Sequence, residues 1–443
     1  MSKKFFKAVV VFLLVANALA AQDSWNLSEC ISYAIENNIG LRKMGVAEKI
    51  AEENFRQSQR NFLPGISAST NSGFSFGRSI DPVTNGVINN QFFNNSYSLG
   101  ASMTLFNGFM MINQVEYQKY IKRAAEQKRL NATDDLAFQV MNSYFDMLYF
   151  KGILQIAESQ VETSGINLKR VEKQVELGMK SNTDLLEMRA NYESEELKRI
   201  QAKNSLRNAN LQLVQLMNLS DTTMLILVDE QMPVVEAHAQ DRQELFESYI
   251  GWSPWFQSFR AQLDASRKSL AISRAQLFPS ISVNGSVNTH YSGTNRDNSD
   301  NVIGFSNQFN SNLNQYIGAS LNIPVFNRWN RRSDIKKAKF EIEQAQNTLD
   351  EEKQKLYFEM VNNLNELEAL ENEYSQYLKQ LEADSLAYQA SEKKLAQGIV
   401  SVIEFYIAKN RLANTESQVL KARLQWEVKK RVLDFYAGER FWE

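Results

Sequence analysis

The stretch Glu172-Lys173-Gln174-Val175-Glu176-Leu177-Gly178 recurs as Glu392-Lys393-Lys394-Leu395-Ala396-Gln397-Gly398, with the two glycines 398 − 178 = 220 residues apart. The triplet Leu105-Phe106-Asn107 recurs as Val325-Phe326-Asn327 at the same offset, because 326 − 106 = 220. Upstream, Phe62-Leu63-Pro64 matches Leu277-Phe278-Pro279 in composition, with prolines 279 − 64 = 215 residues apart. A constant offset indicates a structural unit present twice. The difference of 220 − 215 = 5 residues lies between the proline and the triplet, which predicts a loop there.

Each repeat contains two runs in which apolar and small polar residues alternate, as in a β-strand with one apolar face. We predict strands at about 64–77 and 96–106 in the first repeat, and at about 279–292 and 315–325 in the second. In the first run Ile66, Ala68 and Phe74 alternate with Ser67 and Ser69. Each run has about ten residues, the length with which a tilted strand crosses a hydrocarbon layer.

Alternation alone also fits a strand of an ordinary β-sandwich. Three features favour an outer-membrane β-barrel instead: a signal for export, a polar face rich in Ser, Asn and Gly, and long Asn-rich loops at 77–96 and 292–315. The strand pairs are therefore predicted to contribute to a membrane barrel.

Long helical patterns without proline follow each strand pair and predict helical hairpins at about 108–218 and 328–437. Asn107 and Asn327 stand where helix N-caps are expected, and Gly178 and Gly398 where helix C-caps are expected. From Asn107 to Gly178 a continuous helix would be about 100 Å long at the usual rise per residue. The predicted fold is mainly α, with two tandem repeats of a strand pair and a long helical hairpin.

The N-terminal residues 1–21 are predicted to be a secretory signal, with Lys3, Lys4 and Lys7 ahead of an apolar run that ends in small residues. The remaining chain is divided into repeat 1 at 22–218, an inter-repeat segment at 219–240 with a short strand near Met224–Val228, and repeat 2 at 241–443. Cys30, the single cysteine, is predicted to be a buried small residue rather than a lipid attachment site.

Composition argues against several classes of function. Removing three signal lysines leaves 49 − 3 = 46 basic residues against 51 acidic residues, so a nucleic-acid partner is disfavoured. The two histidines, His238 and His290, form no zinc-site pattern, and no catalytic or cofactor-binding motif is recognised. We therefore predict no enzyme activity, no catalytic residue, no metal and no cofactor.

Four strands from one chain are too few to close an outer-membrane barrel, and open sheet edges are not tolerated in lipid. Two copies would supply eight strands and three would supply twelve, and the strand pattern alone does not choose between them. Closed cyclic symmetry would also join the helical hairpins into a hollow cylinder. A pore is the predicted result.

The sequence resembles the TolC-type outer membrane efflux protein family over essentially the whole mature chain. The resemblance is carried by an ordered set of motifs: Trp25-Asn26-Leu27-Ser28-Glu29-Cys30, Phe62-Leu63-Pro64, Leu105-Phe106-Asn107-Gly108, and Gly178 with Ser181 and Asp184. It implies a homotrimer with a twelve-stranded β-barrel in outer-membrane lipid and a twelve-helix α-barrel in the periplasm. It also implies a passive exit duct of a tripartite efflux pump or type I secretion system. Such a duct docks through a periplasmic adaptor to an inner-membrane pump of the RND, ABC or MFS type.

The turns between paired helices are the predicted periplasmic gate and adaptor-contact sites. They contain the following residues: Gly178, Ser181, Thr183, Asp184, Gly398, Val400, Ser401, Ile403, Glu404 and Ile407. Part of their chemistry is structural, because Gly ends a helix while Ser and the acidic residues begin the next one. The resemblance adds the functional interpretation of a closable pore mouth.

Relatives in this family close the mouth with polar links between a Thr-Asp pair in the first turn and a basic and an aromatic residue in the second. Thr183 and Asp184 match the pair, whereas Val400 and Leu395 occupy the basic and aromatic places. We therefore expect closure by apolar packing through Val400, Ile403 and Ile407. The alternative to a channel is a soluble periplasmic coiled-coil adaptor or scaffold, which would need no trimeric barrel and no detergent for extraction.

Overall fold

A computed structural model describes residues 24–80, 85–89, 91–220, 224–229, 241–299 and 301–442. The predicted signal at 1–21 and much of the inter-repeat segment, at 221–223 and 230–240, lie outside the described residues. By internal contacts the chain divides into two compact units. The strand unit is Val46–Gln127 with Gln257–Asp350, and the helical unit is the chain up to Gly45, Lys128–Phe256 and the chain from Glu351 onward.

The helices of the described chain include four that are much longer than the others. In chain order the helices are α1 Leu27–Asn37, α2 Ile39–Arg60, α3 Met110–Glu176, α4 Asn182–Met217, α5 Arg242–Trp252, α6 Pro254–Ala275, α7 Phe305–Ser311, α8 Asn330–Ala396 and α9 Val402–Tyr436. The long helices α3 and α4 form one hairpin, and α8 and α9 form the other. The described part of the chain contains no helix that is both long and apolar enough to cross a membrane.

The strands lie in one four-stranded antiparallel sheet and two small two-stranded pairs. The ranges are β1 Ser24–Trp25, β2 Gly65–Ser75, β3 Arg78–Ile80, β4 Val87–Asn89, β5 Phe92–Asn107, β6 Ile226–Leu227, β7 Ser280–Ser292 and β8 Asn314–Asn322. The large sheet has the order β2-β5-β7-β8, so β5 and β7 join the strand pairs of the two repeats. These elements confirm the predicted fold, which is mainly helical and has a strand pair and a helical hairpin in each of two repeats.

The cross-strand register gives the sheet one apolar face and one polar face. Ala68 pairs with Leu99, Leu99 with Val287, and Ser98 with Asn288 on the other face. The apolar face also presents Ile66, Met103, Val283, Ile317 and Leu321, and the polar face presents Ser67, Ser102, Asn284, Ser286 and Ser320. Alternation in the sequence thus becomes two chemically different surfaces, because successive side chains point to opposite faces.

Two strand boundaries differ from the sequence prediction. Strand β5 begins at Phe92 rather than near 96, since Asn95 accepts a hydrogen bond from Thr70 on β2 at 3.1 Å, and Asn94 donates one to Ser75 at 3.0 Å. Asparagines, which by composition indicate a loop, here form side-chain hydrogen bonds across the strands. Strand β8 ends at Asn322 rather than at 325, because Pro324 follows and has no N–H to donate to the neighbouring strand.

The helix starts also differ, because α3 and α8 begin at Met110 and Asn330 rather than directly after Asn107 and Asn327. A two-residue left-handed turn separates strand from helix, at Gly108 and Phe109 with φ of 66° each, and at Arg328 and Trp329 in the second repeat. Glycine is required at 108, because a Cβ there would lie 2.4 Å from the Ala275 carbonyl oxygen. The Asn107 side chain still accepts a hydrogen bond from the Met111 amide, at 3.2 Å.

In the helical unit, the predicted inter-repeat strand is present as β6, which pairs in parallel with β1. The Tyr144 hydroxyl on α3 shares its one proton between the carbonyls of Val228 and Trp25, at 2.5 and 3.1 Å. Cys30 on α1 is fully buried, and burial raises the pKa of its thiol to about 12, consistent with an unreactive core residue.

Candidate functional site at the helical turns

The turn between α3 and α4 begins with a helix C-terminus built around Gly178. Gly178 has φ of +70°, its amide donates to the Val175 carbonyl at 2.9 Å, and the Met179 amide donates to the Gln174 carbonyl at 2.8 Å. This pair of hydrogen bonds is the Schellman motif, which needs a left-handed residue that glycine supplies without steric cost. Gly398 repeats it with φ of +73° and bonds from Gly398 to Leu395 and from Ile399 to Lys394.

The next helices begin with capping serines. The Ser181 hydroxyl accepts a hydrogen bond from the Asp184 amide at 3.1 Å, and the Asp184 carboxylate accepts from the Ser181 amide and hydroxyl at 3.3 and 2.9 Å. Ser401 accepts from the Glu404 amide at 3.2 Å. Asp184 is therefore engaged at its own helix N-terminus, where a negative charge is favourable.

A buried apolar cluster lies behind both turns and packs the two hairpins together. It consists of Val171, Met188, Leu395, Val402, Phe405 and Tyr406, with Val400 among the partly buried residues against it. Leu395 is only 4% exposed, so the residue at the aromatic place of the family latch is part of this core. Of the predicted closure residues, Val400 packs inside the protomer, whereas Ile403 and Ile407 are 56% and 62% exposed.

Further exposed apolar residues surround the turns and were not singled out from the sequence. Met179, Leu186 and Ile399 are each more than half exposed. Met179 and Ile399 are equivalent positions, since 399 − 179 = 220. Comparison of the two repeats at the 220-residue offset would therefore have identified this pair from the sequence. We call Met179, Leu186, Ile399, Ile403 and Ile407 the tip apolar set.

A buried polar cluster connects the two hairpins within the helical unit. Lys409 on α9 donates to both carboxylate oxygens of Glu195 on α4 at 2.9 Å and to the Gln160 carbonyl on α3 at 2.7 Å. Ser164 on α3 donates to Glu195, and the Tyr406 hydroxyl donates to Ser164 at 3.0 Å. The side chains of Lys409 and Glu195 are 1% and 6% exposed. We call this group the Lys409 cluster.

Burial and neighbouring charges shift the protonation of these groups. Burial lowers the pKa of Lys409, and the Glu195 carboxylate opposes that shift. Burial also raises the pKa of Tyr406 to about 12, so its hydroxyl remains a hydrogen-bond donor. A buried charge pair with this many hydrogen bonds fixes the geometry of the groups around it, and loss of one partner would leave an uncompensated charge.

The second hairpin contains an equivalent pair with the residue types exchanged. The Thr415 hydroxyl on α9 donates to the Asp384 carboxylate on α8 at 2.8 Å, and Arg411 Nε lies 2.7 Å from the same carboxylate. The offset maps Ser164 to Asp384 and Glu195 to Thr415, because 164 + 220 = 384 and 195 + 220 = 415. Neither residue of this pair was among the site residues predicted from the sequence.

Among the residues that the structure describes, no three His, Cys, Asp or Glu side chains are arranged to hold a metal ion. What the site presents is two capped helix turns, an apolar core behind them and exposed apolar residues around them.

The sequence model of the family described as outer membrane efflux protein matches residues 30–219 and 247–439. The outer membrane protein TolC of Vibrio cholerae serotype O1 is 20% identical over 95% of this chain and 92% of its own length. The alkaline protease secretion protein AprF of Pseudomonas aeruginosa is 21% identical over 96% of this chain and 85% of its own. These matches span both repeats.

The fold is similar to solved structures of the same kind. The crystal structure of CusC, reported in connection with transmembrane channel formation, superimposes with a TM-score of 0.78 over 93% of this chain and 91% of that chain, at 21% identity. The predicted role as an outer-membrane exit channel for efflux or type I secretion is confirmed. The match extends over most of both repeats, and this chain belongs to the outer membrane efflux protein family.

Proposed function

We propose that three copies of this chain form a passive exit duct, with the β2-β5-β7-β8 sheet in the outer membrane and the helical hairpins in the periplasm. The observation that carries the proposal is the sheet with one face of Ile, Leu, Val and aromatic side chains and one of Ser, Asn and Gly. In outer-membrane barrels the apolar face contacts lipid and the polar face lines an aqueous lumen. Transport in this proposal needs no catalytic residue, metal or cofactor.

The edges of the sheet support assembly from several copies. Strands β2 and β8 are the edge strands of the four-stranded sheet, so each has one side that finds no strand partner within the described chain. Since the four strands alternate in direction, β8 of one copy can pair antiparallel with β2 of the next. Ring closure would satisfy every strand, as a membrane barrel requires. Three copies, giving twelve strands, agree with the family resemblance.

We propose that the helical turns form the periplasmic mouth and contact a periplasmic adaptor, through which an inner-membrane pump of the RND, ABC or MFS type is reached. The relevant residues are the predicted ones: Gly178, Ser181, Thr183, Asp184, Gly398, Val400, Ser401, Ile403, Glu404 and Ile407. The exposure of the tip apolar set supports both roles, because exposed apolar residues grouped at one end of a helix pair favour contact with another protein surface.

Closure of the mouth is proposed to depend on Ile403 and Ile407 more than on the Thr183 and Asp184 pair. Asp184 supports this view, since its carboxylate is already hydrogen bonded to Ser181 of its own turn. Val400 takes an indirect part, as a side chain that packs on the core behind the turn.

Single-channel recording in planar bilayers tests the duct and its gate together. The unmodified protein is expected to conduct, and Ile407→Ala is expected to raise conductance markedly while Asp184→Ala changes it little. Glu187→Ala is the matched control, because 407 − 187 = 220 places it at the equivalent position of the other turn. A larger increase from Asp184→Ala than from Ile407→Ala would overturn the apolar gate. Extraction of the protein without detergent and without conductance would instead favour the soluble adaptor.

A further inference from the structure

The loop between β7 and β8 contains a short helix, α7, that lies on the apolar face of the sheet. The Phe309 ring is 5.6 Å from the Tyr97 ring, and the Phe305 ring is 6.0 Å from Tyr97 and 5.7 Å from Tyr291. Tyr97 shares its face with Leu99 and Val287, as the strand register shows. The helix is thus on the side of the sheet that would face lipid, rather than on the Ser- and Asn-rich side.

Hydrogen bonds from α7 and the residue that follows it hold the helix against β7. The fully buried side chain of Gln308 accepts from the Ser292 amide at 3.0 Å and donates to the carbonyls of Ser292 and Ile303 at 3.0 and 2.7 Å. Thr289 donates to the Phe309 carbonyl at 2.7 Å, and the Asn312 side chain donates to the His290 carbonyl at 2.8 Å. So many side-chain to backbone bonds indicate a defined position for the helix.

Apolar side chains remain uncovered on this helix and beside it. Phe305 is 47% exposed and Leu313 is 49% exposed, although each belongs to a segment fixed by hydrogen bonds. From Asn301 to Gln315 the sequence contains no charged residue, and the other exposed side chains there are those of Asn301, Val302, Ser306, Asn307, Asn310, Ser311, Asn314 and Gln315. An uncharged segment with aromatic and aliphatic groups on one side and amides on the other fits the boundary between acyl chains and headgroups.

The depth of α7 along the sheet agrees with that boundary. Within β5, the part from Tyr97 to the strand end at Asn107 has 107 − 97 + 1 = 11 residues. A tilted strand crosses the hydrocarbon layer in roughly 9–11 residues, and aromatic residues form belts at both of its edges. With Phe106 near one edge, Tyr97 and the α7 aromatics that contact it lie at the other edge.

We infer that α7 is a lipid-contact element, with Phe305 and Leu313 in the acyl-chain boundary of the outer leaflet and the Asn-rich side toward the headgroups. The inference rests on the proposed membrane placement of the sheet and adds a second surface to it. The second repeat has five more residues between its proline and its Phe-Asn pair than the first, (326 − 279) − (106 − 64) = 5, which gives the second loop room for this helix.

Site-directed fluorescence quenching tests the inference. Single cysteines are introduced as Phe305→Cys and Leu313→Cys, labelled with an environment-sensitive dye, and reconstituted in phosphatidylcholine vesicles whose acyl chains bear a nitroxide. The native Cys30 is fully buried and stays unlabelled in the folded protein, which a parallel labelling of the parent chain verifies. Asn310→Cys is the control on the polar side. Ile317→Cys, at an 87% exposed position on the apolar face of β8, reports the proposed membrane placement itself.

The expected result is strong quenching at Ile317→Cys, comparable quenching at Phe305→Cys and Leu313→Cys, and at most half as much at Asn310→Cys. Quenching at Ile317→Cys without more at Phe305→Cys and Leu313→Cys than at Asn310→Cys would overturn the lipid contact of α7 and leave the duct intact. Absence of quenching at Ile317→Cys would overturn the membrane placement, and the lipid contact of α7 with it.

Discussion

Replacing Lys409 with methionine is expected to loosen the junction between the two helical hairpins. Methionine fills much of the same volume but leaves the Glu195 carboxylate, whose side chain is 6% exposed, without its cation. The Gln160 carbonyl on α3 also loses the donor that it has at 2.7 Å. The substitution therefore removes contacts to both helices of the first hairpin at once.

The cost follows from burial. Removing one partner of a buried ion pair typically destabilises a protein by about 3–5 kcal/mol, because the remaining charge is left unpaired away from water. At about 1.4 kcal/mol per factor of ten, the equilibrium for local opening would rise on the order of a hundredfold or more. Replacing both groups, as in Lys409→Met with Glu195→Leu, exchanges the pair for apolar contacts and is expected to recover most of the loss.

Hydrogen–deuterium exchange of the detergent-solubilised protein measures this effect locally, in peptides that cover Gln160 and Glu195. Lys430→Met is the matched control on the same helix, because Lys430 and its partner Asp434 are 35% and 24% exposed. A partly exposed helix pair at this i,i+4 spacing is typically worth about 0.3–0.5 kcal/mol. Equal protection in Lys409→Met and Lys430→Met, or a double variant no more protected than Lys409→Met, would refute the reasoning.

The helix ends and one half-buried carboxylate give further predictions. Gly178→Ala and Gly398→Ala should each reduce the free energy of unfolding by about 1–2 kcal/mol and lower the midpoint of thermal unfolding, because both positions have left-handed φ. A Cβ would meet no neighbouring atom at either position, so backbone strain alone sets this cost, and asparagine should cost less than alanine. Ser181→Ala should cost about 1 kcal/mol and speed amide exchange in the first turn of α4, while Asn182→Ala should not. Burial raises the pKa of Glu416 above its ordinary value of 4.5, so the stability associated with this group is complete below that value and is lost as pH rises through the raised pKa. Glu416→Gln should therefore be more stable than the parent chain in denaturant melts at neutral pH and equal to it in acid. A constant difference across pH would contradict this assignment.

The sheet and the hairpins were predictable because each requires a characteristic period of apolar residues in the sequence. A strand with two different faces must alternate, as Ile66 to Ser69 do, and a proline-free segment ending at Gly178 must be helical to bury its stripe. The predicted boundaries are wrong where side chains form hydrogen bonds to the backbone or to each other that composition does not reveal. The asparagines at 94 and 95 extend β5 through cross-strand bonds, and α7 is held by Gln308 within a segment that by composition resembles a loop.

The positions of the turns were predicted from the sequence, but the different roles of the residues within them were not. Val400 and Ile407 are both β-branched and apolar, and only packing distinguishes them: Val400 lies against the core cluster while Ile407 is 62% exposed. Thr183 and Asp184 likewise match a polar latch in the family, yet the carboxylate of Asp184 serves its own capping box. Contact partners, rather than residue types, decide these roles.

The two repeats are least equivalent where their buried polar groups lie. Ser164 and Glu195 exchange places with Asp384 and Thr415 under the 220-residue offset, so each hairpin keeps a hydroxyl–carboxylate pair while the carboxylate changes helix. The cation then decides what each pair connects. Arg411 lies on α9 and stays with the second hairpin's own carboxylate, whereas Lys409, two residues away, reaches Glu195 of the first hairpin.

A motion that separates the hairpins must therefore break the Lys409 cluster or occur beyond it. From Ser164 to the turn at Gly178 there are 178 − 164 = 14 residues, which is about 21 Å of helix. This length contains the tip apolar set and the apolar cluster around Phe405. Their contacts can be replaced by contacts with a partner protein without leaving a buried charge unpaired. If the mouth opens by separation of the hairpins, the moving part would be confined to this segment, and Lys409→Met would extend it toward the rest of the helical unit.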